Sequence, residues 1–247
     1  MPMRQVTPER LDTLPADDAQ ALRARADLQR IHLAMGTRDI LVKALSDMPR
    51  PGPRDRPWRV LELGAGDGTL MLRVARSLAG RWPGTDLTLL DRLPLVRPDM
   101  AADYAAVGWR LRTRVVDVLD WAGEAADTAG PSGAPGRWDL IVCNLFLHHF
   151  ESPQLRVLLR VIAQRCDRFF ACEPRRGRAG WIGSRLVAAL GANAVTRTDA
   201  VLSVRAGFRG EELAELWPAA DGQWNLQTYP SGLFSHCFRA ERLVPHP

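Results

Sequence analysis

Residues 60–70 read Val-Leu-Glu-Leu-Gly-Ala-Gly-Asp-Gly-Thr-Leu, an apolar run that stops in glycines and resumes with helical spacing. This order places a ligand site at the carboxyl end of a parallel strand, because backbone approaches a bound molecule closely only where side chains are absent. Gly64, Gly66 and Gly68 stand at alternate positions. A dinucleotide fingerprint wants its third glycine at position 69, which is Thr69 here, so the spacing counts against NAD or FAD.

From this turn onward, strand-length apolar runs alternate with helical periodicity. Strands are expected at 58–63, 86–90, 110–116, 138–143 and 168–172, and helices at 69–78, 95–107 and 152–165. Such alternation calls for a mostly parallel sheet covered on both faces. Helices at 16–35 and 37–48 precede it, and a proline-rich run at 49–57 intervenes. The chain therefore divides into a helical extension with linker, 1–57, and a domain spanning 58–247. Residues 122–137, rich in Gly, Ala and Pro, predict a surface loop. Residues 174–208 break the alternation and read as a lid-like insertion. A helix at 211–216 follows, then strands at 224–228 and 233–239 joined as an antiparallel hairpin through Tyr229-Pro230-Ser231-Gly232.

Composition narrows the function classes. A hydrophobic content of 46% with 25% charged residues is that of an ordinary globular protein, and no run nears the ~18 apolar residues that span a bilayer. The first ten residues lack the apolar stretch of a secretory signal, so the expected compartment is the cytoplasm. The net charge of +5 invites a nucleic-acid reading, but Lys43 is the only lysine and most arginines interleave with acids or apolar residues, so no nucleic-acid partner is expected. Cys143, Cys166, Cys172 and Cys237 form no CxxC pair and read as buried thiols. No histidines and carboxylates share metal-ligand spacing, so no metal is expected.

Polar residues stand at successive strand ends: the acids of Leu89-Leu90-Asp91 and Val115-Val116-Asp117-Val118, then the amide Asn144 opening Asn-Leu-Phe-Leu-His-His-Phe. With Glu-Leu-Gly-x-Gly-x-Gly at 62–68 and the terminal hairpin, this set resembles the class I S-adenosylmethionine (SAM) dependent methyltransferases over about 58–239. The likeness is strongest to small bacterial methyltransferases of natural-product and quinone-type metabolism. It implies a Rossmann-like α/β fold with a seven-stranded, mostly parallel sheet ending in an antiparallel hairpin, SAM as cofactor and S-adenosylhomocysteine as product. It also implies roles: Gly64, Ala65 and Gly66 against the cofactor, and Glu62 near the amino end of its methionine moiety. Asp91 would meet the ribose hydroxyls, Asp117 and the Val118 amide the adenine, and Asn144 the transferred methyl group. Arg38 could pair with the methionine carboxylate. Helix capping by Asp91 and an ordinary surface role for Arg38 stay open as alternatives.

A sulfonium brings its own leaving group, so the protein must mainly align the acceptor and exclude water. A weakly acidic hydroxyl gains from a general base, and His148 and His149 follow the fourth strand where that base belongs. His148 is the preferred candidate; packing roles for both, with catalysis by proximity, are the alternative. His236 sits among Phe234 and Phe238 as a core histidine, and His32 has no partner visible from spacing. Arg175, Arg176 and Arg178 could recognise an acidic substrate group or form a solvated loop, while Trp181 and Phe146 suit an aromatic acceptor. Asn144 lacks the following Pro-Pro-aromatic of adenine methylases. The expected activity is O-methylation of a phenolic or polyketide-like hydroxyl on a small molecule. C-methylation of an activated ring, a non-catalytic SAM-binding regulator, and an RNA or protein methyltransferase are the rivals. Oligomeric state is left open.

Overall fold

The computed structural model describes residues 3–48, 56–124, 137–218 and 224–243. The amino-terminal part holds α1 (Arg10–Thr13), α2 (Ala19–Ala34) and α3 (Thr37–Ser46). The alternating region follows as β1 (Trp58–Leu63), α4 (Thr69–Leu78), β2 (Thr85–Asp91), α5 (Met100–Ala105), β3 (Trp109–Val115), α6 (Val118–Gly123) and β4 (Leu140–Asn144). Next come α7 (Ser152–Arg165), β5 (Arg168–Pro174), α8 (Arg178–Leu186), α9 (Ala194–Ala206) and α10 (Glu212–Leu216), and the chain closes with β6 (Trp224–Ser231) and β7 (Ser235–Arg242).

One seven-stranded sheet runs β3-β2-β1-β4-β5-β7-β6, parallel from β3 to β5, with the final pair antiparallel. Strand order reverses between β1 and β4, the switch point outside which open α/β sheets bind ligands. Apolar side chains fill both faces. Leu41 and Leu45 of α3 and Val74 and Leu78 of α4 pack on one face, where Trp58, Trp82 and Trp109 stack in series. Leu155, Leu159 and Ile162 of α7 cover the other face with Phe169, Trp217 and Phe238. The amino-terminal helices thus enter the same packing: α3 completes the first core, and α2 lies against α3 and α9.

Departures from the sequence reading have local causes. The helix expected at 95–107 shrinks to α5 because Pro94 and Pro98 break its first half. Part of the loop expected from 122 is α6, which Asp117 caps by accepting the Leu119 amide at 2.8 Å; residues 125–136 of that loop lie outside the described residues, as do 49–55 of the expected linker. The hairpin is longer than expected, because β6 continues through Pro230 to Ser231. A proline is tolerated there since β6 is the sheet edge and its missing N–H breaks no ladder on the open side. All four cysteines are buried and free.

Candidate active site

A cavity of about 730 Å3 opens at the carboxyl ends of β1, β2 and β4, within the size range of small-molecule sites. The glycine turn forms its floor. Gly64 holds φ +66°, and a Cβ there would lie 2.2 Å from the Phe146 ring, so the turn after β1 and the loop after β4 close on each other only because this residue is glycine. Gly66, at φ +59°, faces open space. Asp91 fastens the turn: its carboxylate accepts the Gly66 amide at 2.8 Å and the Leu93 amide at 3.0 Å.

Glu62 is 3% exposed, and its Oε2 has no hydrogen-bond partner. Burial, with the charges of Asp91 and Asp67 nearby, pushes its pKa up to about 8. Three more buried polar atoms on this cavity are also unpartnered: Gln29 Oε1, His32 Nδ1 and Asn144 Oδ1. Burial brings His32 down to about 4, so it is neutral. Gln29 Oε1 and Asn144 Oδ1 are acceptors, and Glu62 becomes one once a neighbouring cationic group draws off its proton, so the cavity fits a ligand rich in N–H and O–H donors, one of them cationic beside Glu62.

Sequence-predicted residues divide accordingly. Glu62, Gly64, Ala65, Gly66, Asp91, Asp117, Val118, Asn144, His148 and His149 all line this cavity. Arg38 does not: it is half exposed on α3 and paired with Asp39. Asp117 spends one oxygen capping α6. His236 is buried in β7.

At the far wall the chain leaves β4 through Leu145, a non-glycine residue at φ +49°, a conformation costing roughly 1–2 kcal/mol. The bend turns the amides of Phe146 and Leu147 onto Oε1 of Glu173, at 3.0 and 2.9 Å. Glu173 is 0% exposed, and its Oε2 lies 2.9 Å from Nδ1 of His148. The other ring nitrogen, Nε2, lies 3.3 Å from Oε1 of Glu9. Burial by itself would lower the His148 pKa, but hydrogen bonds and charges from Glu173 and Glu9 outweigh it and hold the imidazole up at about 9. Burial opposes ionisation of Glu9, yet His148, His149 and Ser203 keep its pKa below the usual carboxylate value. His149 pairs with Asp12 at 3.0 Å.

Glu9 and Asp12 belong to a strap, residues 6–13, that crosses the cavity. Arg4 anchors it to the carbonyls of Ala206 and Phe150 at 2.7 and 2.8 Å, and Asp199 of α9 accepts the Arg10 and Leu11 amides at 2.9 Å each. Sequence reasoning missed Glu9, Asp12 and Glu173. For Glu173 a signal existed, an acid ending a strand as Asp91 does; for the strap there was none.

Of the two readings left open for the arginines after β5, substrate recognition and a solvated loop, neither describes Arg176. Arg176 is buried, bonded to the Gly207 carbonyl and ion-paired with Glu212, and none of Arg175, Arg176 and Arg178 lines the cavity. Trp181 is 44% exposed beneath the Arg185 guanidinium, also away from the cavity.

No protein-family model and no curated protein matches this chain. Solved structures do. An O-methyltransferase family protein from Burkholderia thailandensis is similar at a TM-score of 0.58 and 17% identity, covering 96% of this chain and 64% of that one. The mitomycin 7-O-methyltransferase MmcR gives 0.54 and 18%, covering 94% and 60%. Magnesium protoporphyrin IX methyltransferase from Synechocystis, with bound SAH, gives 0.50 and 14%, covering 94% and 91%. The chain thus spans less than two thirds of the length of the first two. At these identities the likeness establishes the fold, that of the class I methyltransferases.

Proposed function

We propose that this protein is a SAM-dependent methyltransferase acting on a hydroxyl of a small molecule. The observation that carries the reading is the buried pair of Glu173, near the end of β5, with His148, just after β4, bordering a cavity whose unpartnered atoms want donors and a cation. The residues present fit SAM: Glu62 would meet its ammonium, Asn144 and Gln29 would offer acceptors to polar hydrogens, and the open space at Gly66 would admit it against the backbone. SAM, when bound, supplies an electrophilic methyl group on a sulfonium, which leaves as a neutral thioether once the acceptor oxygen takes the methyl.

The chain's own task is the proton. With Glu9 against Nε2, His148 is an imidazolium at neutral pH and cannot act as a base. An acceptor hydroxyl that takes the position of the Glu9 carboxylate removes one of the two anions holding the proton, so the imidazole becomes neutral more readily. Glu173 then keeps Nδ1–H in place, and Nε2 receives the hydroxyl proton as the new carbon–oxygen bond forms.

Calorimetric titration with S-adenosylhomocysteine tests the cofactor half, with saturable one-to-one binding expected. Incubation with methyl-labelled SAM and fractionated metabolites tests the rest, with label expected in a methyl ether. Absence of binding overturns the reading; label on carbon overturns the choice of oxygen.

A further inference from the structure

A second cavity, of about 340 Å3, lies between α2, α8 and α9. Its walls are aliphatic and small: Leu28, Ile31 and Met35 on one side, Val187 and Val204 on the other, and Phe234 at one end. Ala24, Ala200, Gly180 and Gly183 leave the space open.

Every polar side chain on this wall is already engaged. The Ser184 hydroxyl donates to the Trp181 carbonyl at 2.9 Å, and the Thr196 hydroxyl to Asp27 at 3.1 Å. Asp199 is occupied by the two strap amides, and Ser203 donates to Glu9. No lysine or arginine lines the cavity among the described residues. The carboxylates on this wall, Glu9 and Asp199, repel an anionic ligand group, and a group that needs a new hydrogen-bond partner would be buried here without one, a loss of the kind that disfavours polar ligands.

The two cavities meet. Glu9, Leu11, Leu28, Leu145, Pro174 and Ser203 line both, and in that shared rim Glu9 touches Nε2 of His148. We infer that the second cavity receives the body of the acceptor, an uncharged apolar molecule of about the bulk of two fused rings, with one hydroxyl directed through the shared rim to His148. Acceptors bearing a carboxylate, phosphate or sugar along the body are excluded. The inference rests on the methyltransferase reading for the reaction, but not for the binding.

The test uses 2-naphthol as a neutral probe and 6-hydroxy-2-naphthoate as its charged counterpart, with binding followed by calorimetry and naphthol fluorescence on the full chain. Ala200→Phe fills the cavity from α9, and Ala34→Phe narrows it from an exposed position on α2, so a folding defect in the first leaves the second as a check. Folding of each is verified by circular dichroism. The wild type is expected to bind naphthol saturably at one site and the naphthoate at least tenfold more weakly. Both variants are expected to lose at least tenfold in naphthol affinity while S-adenosylhomocysteine binding changes less than twofold. Naphthol binding that is absent up to its solubility, equal to that of the naphthoate, or unchanged in the folded variants overturns the inference. The last result would put the probe outside the cavity, at exposed apolar side chains such as Ile182 of α8. Naphthol binding without S-adenosylhomocysteine binding keeps the apolar site and overturns the methyltransferase reading instead.

Discussion

The two cavities share a rim yet are built on opposite rules. In the larger one, at the sheet's switch point, four buried polar atoms are unpartnered and a carboxylate is held far from its ordinary pKa. In the smaller one, among helices, every polar side chain has its partner and the rest is hydrocarbon. Unsatisfied buried groups cost stability and persist where a ligand satisfies them. Satisfied walls ask only for shape and for relief of apolar surface from water. The first cavity therefore specifies a ligand's functional groups, and the second only its bulk and neutrality.

The sharpest way to break this contrast is at the seam. His148→Ala is expected to lower the methyl-transfer kcat by roughly 10²- to 10⁴-fold. Naphthol and S-adenosylhomocysteine affinities should stay within about threefold, since His148 is one of many residues around the larger cavity and does not line the smaller one. A fall in both affinities equal to the fall in kcat would mean the histidine is packing.

Asp91→Ala releases the Gly66 and Leu93 amides and so loosens only the polar cavity. S-adenosylhomocysteine affinity should drop by about 10- to 100-fold, or roughly 1.4–2.8 kcal/mol by calorimetry, with naphthol binding unmoved. Parallel losses in both ligands would merge the two sites into one.

The third test is stability against pH. Glu62 has a folded pKa of about 8, above its unfolded value, so the stability its proton contributes is complete below about pH 4.5 and is lost as pH rises towards 8. His148, raised to about 9, adds a loss of the same sign between about pH 6.5 and 9. A tenfold difference in a group's acidity between the folded and the unfolded chain is worth about 1.4 kcal/mol. Thermal unfolding of the ligand-free protein should thus weaken steadily towards alkaline pH, and Glu62→Gln should flatten the acid half of that curve while costing about tenfold in S-adenosylhomocysteine affinity. A flat wild-type curve would mean that Glu62 is solvated.

The smallest effect concerns the strap. Glu9→Gln removes one of the two anions that raise His148, so the alkaline rise of kcat/KM should move to lower pH by about one pH unit. A rise moved to higher pH would show that Glu9 itself carries the proton.

What the sequence disclosed follows the reach of local chemistry. Gly64, Asp91 and Asn144 mark strand ends by position alone, and the order of strands followed from alternating periodicity. The Pro-broken α5, the edge-tolerated Pro230 and the αL bend at Leu145 depend on neighbours supplied by the fold. Glu9 is 139 residues from His148 along the chain, and no periodicity links them. Arg176 was misleading for the same reason: a buried ion pair with Glu212 and a solvent-facing arginine are spelled alike.

The strap carries a kinetic consequence. Helix α1 buries no residue, and the segment is fastened mainly by Arg4, Asp199, Arg92 and the two histidines. Segments secured this way open at much lower free energy than the sheet beneath them. Because residues 9 and 11 border both chambers, one peeling event would uncover both at once. Entry and exit of both ligands would then be coupled to a single door.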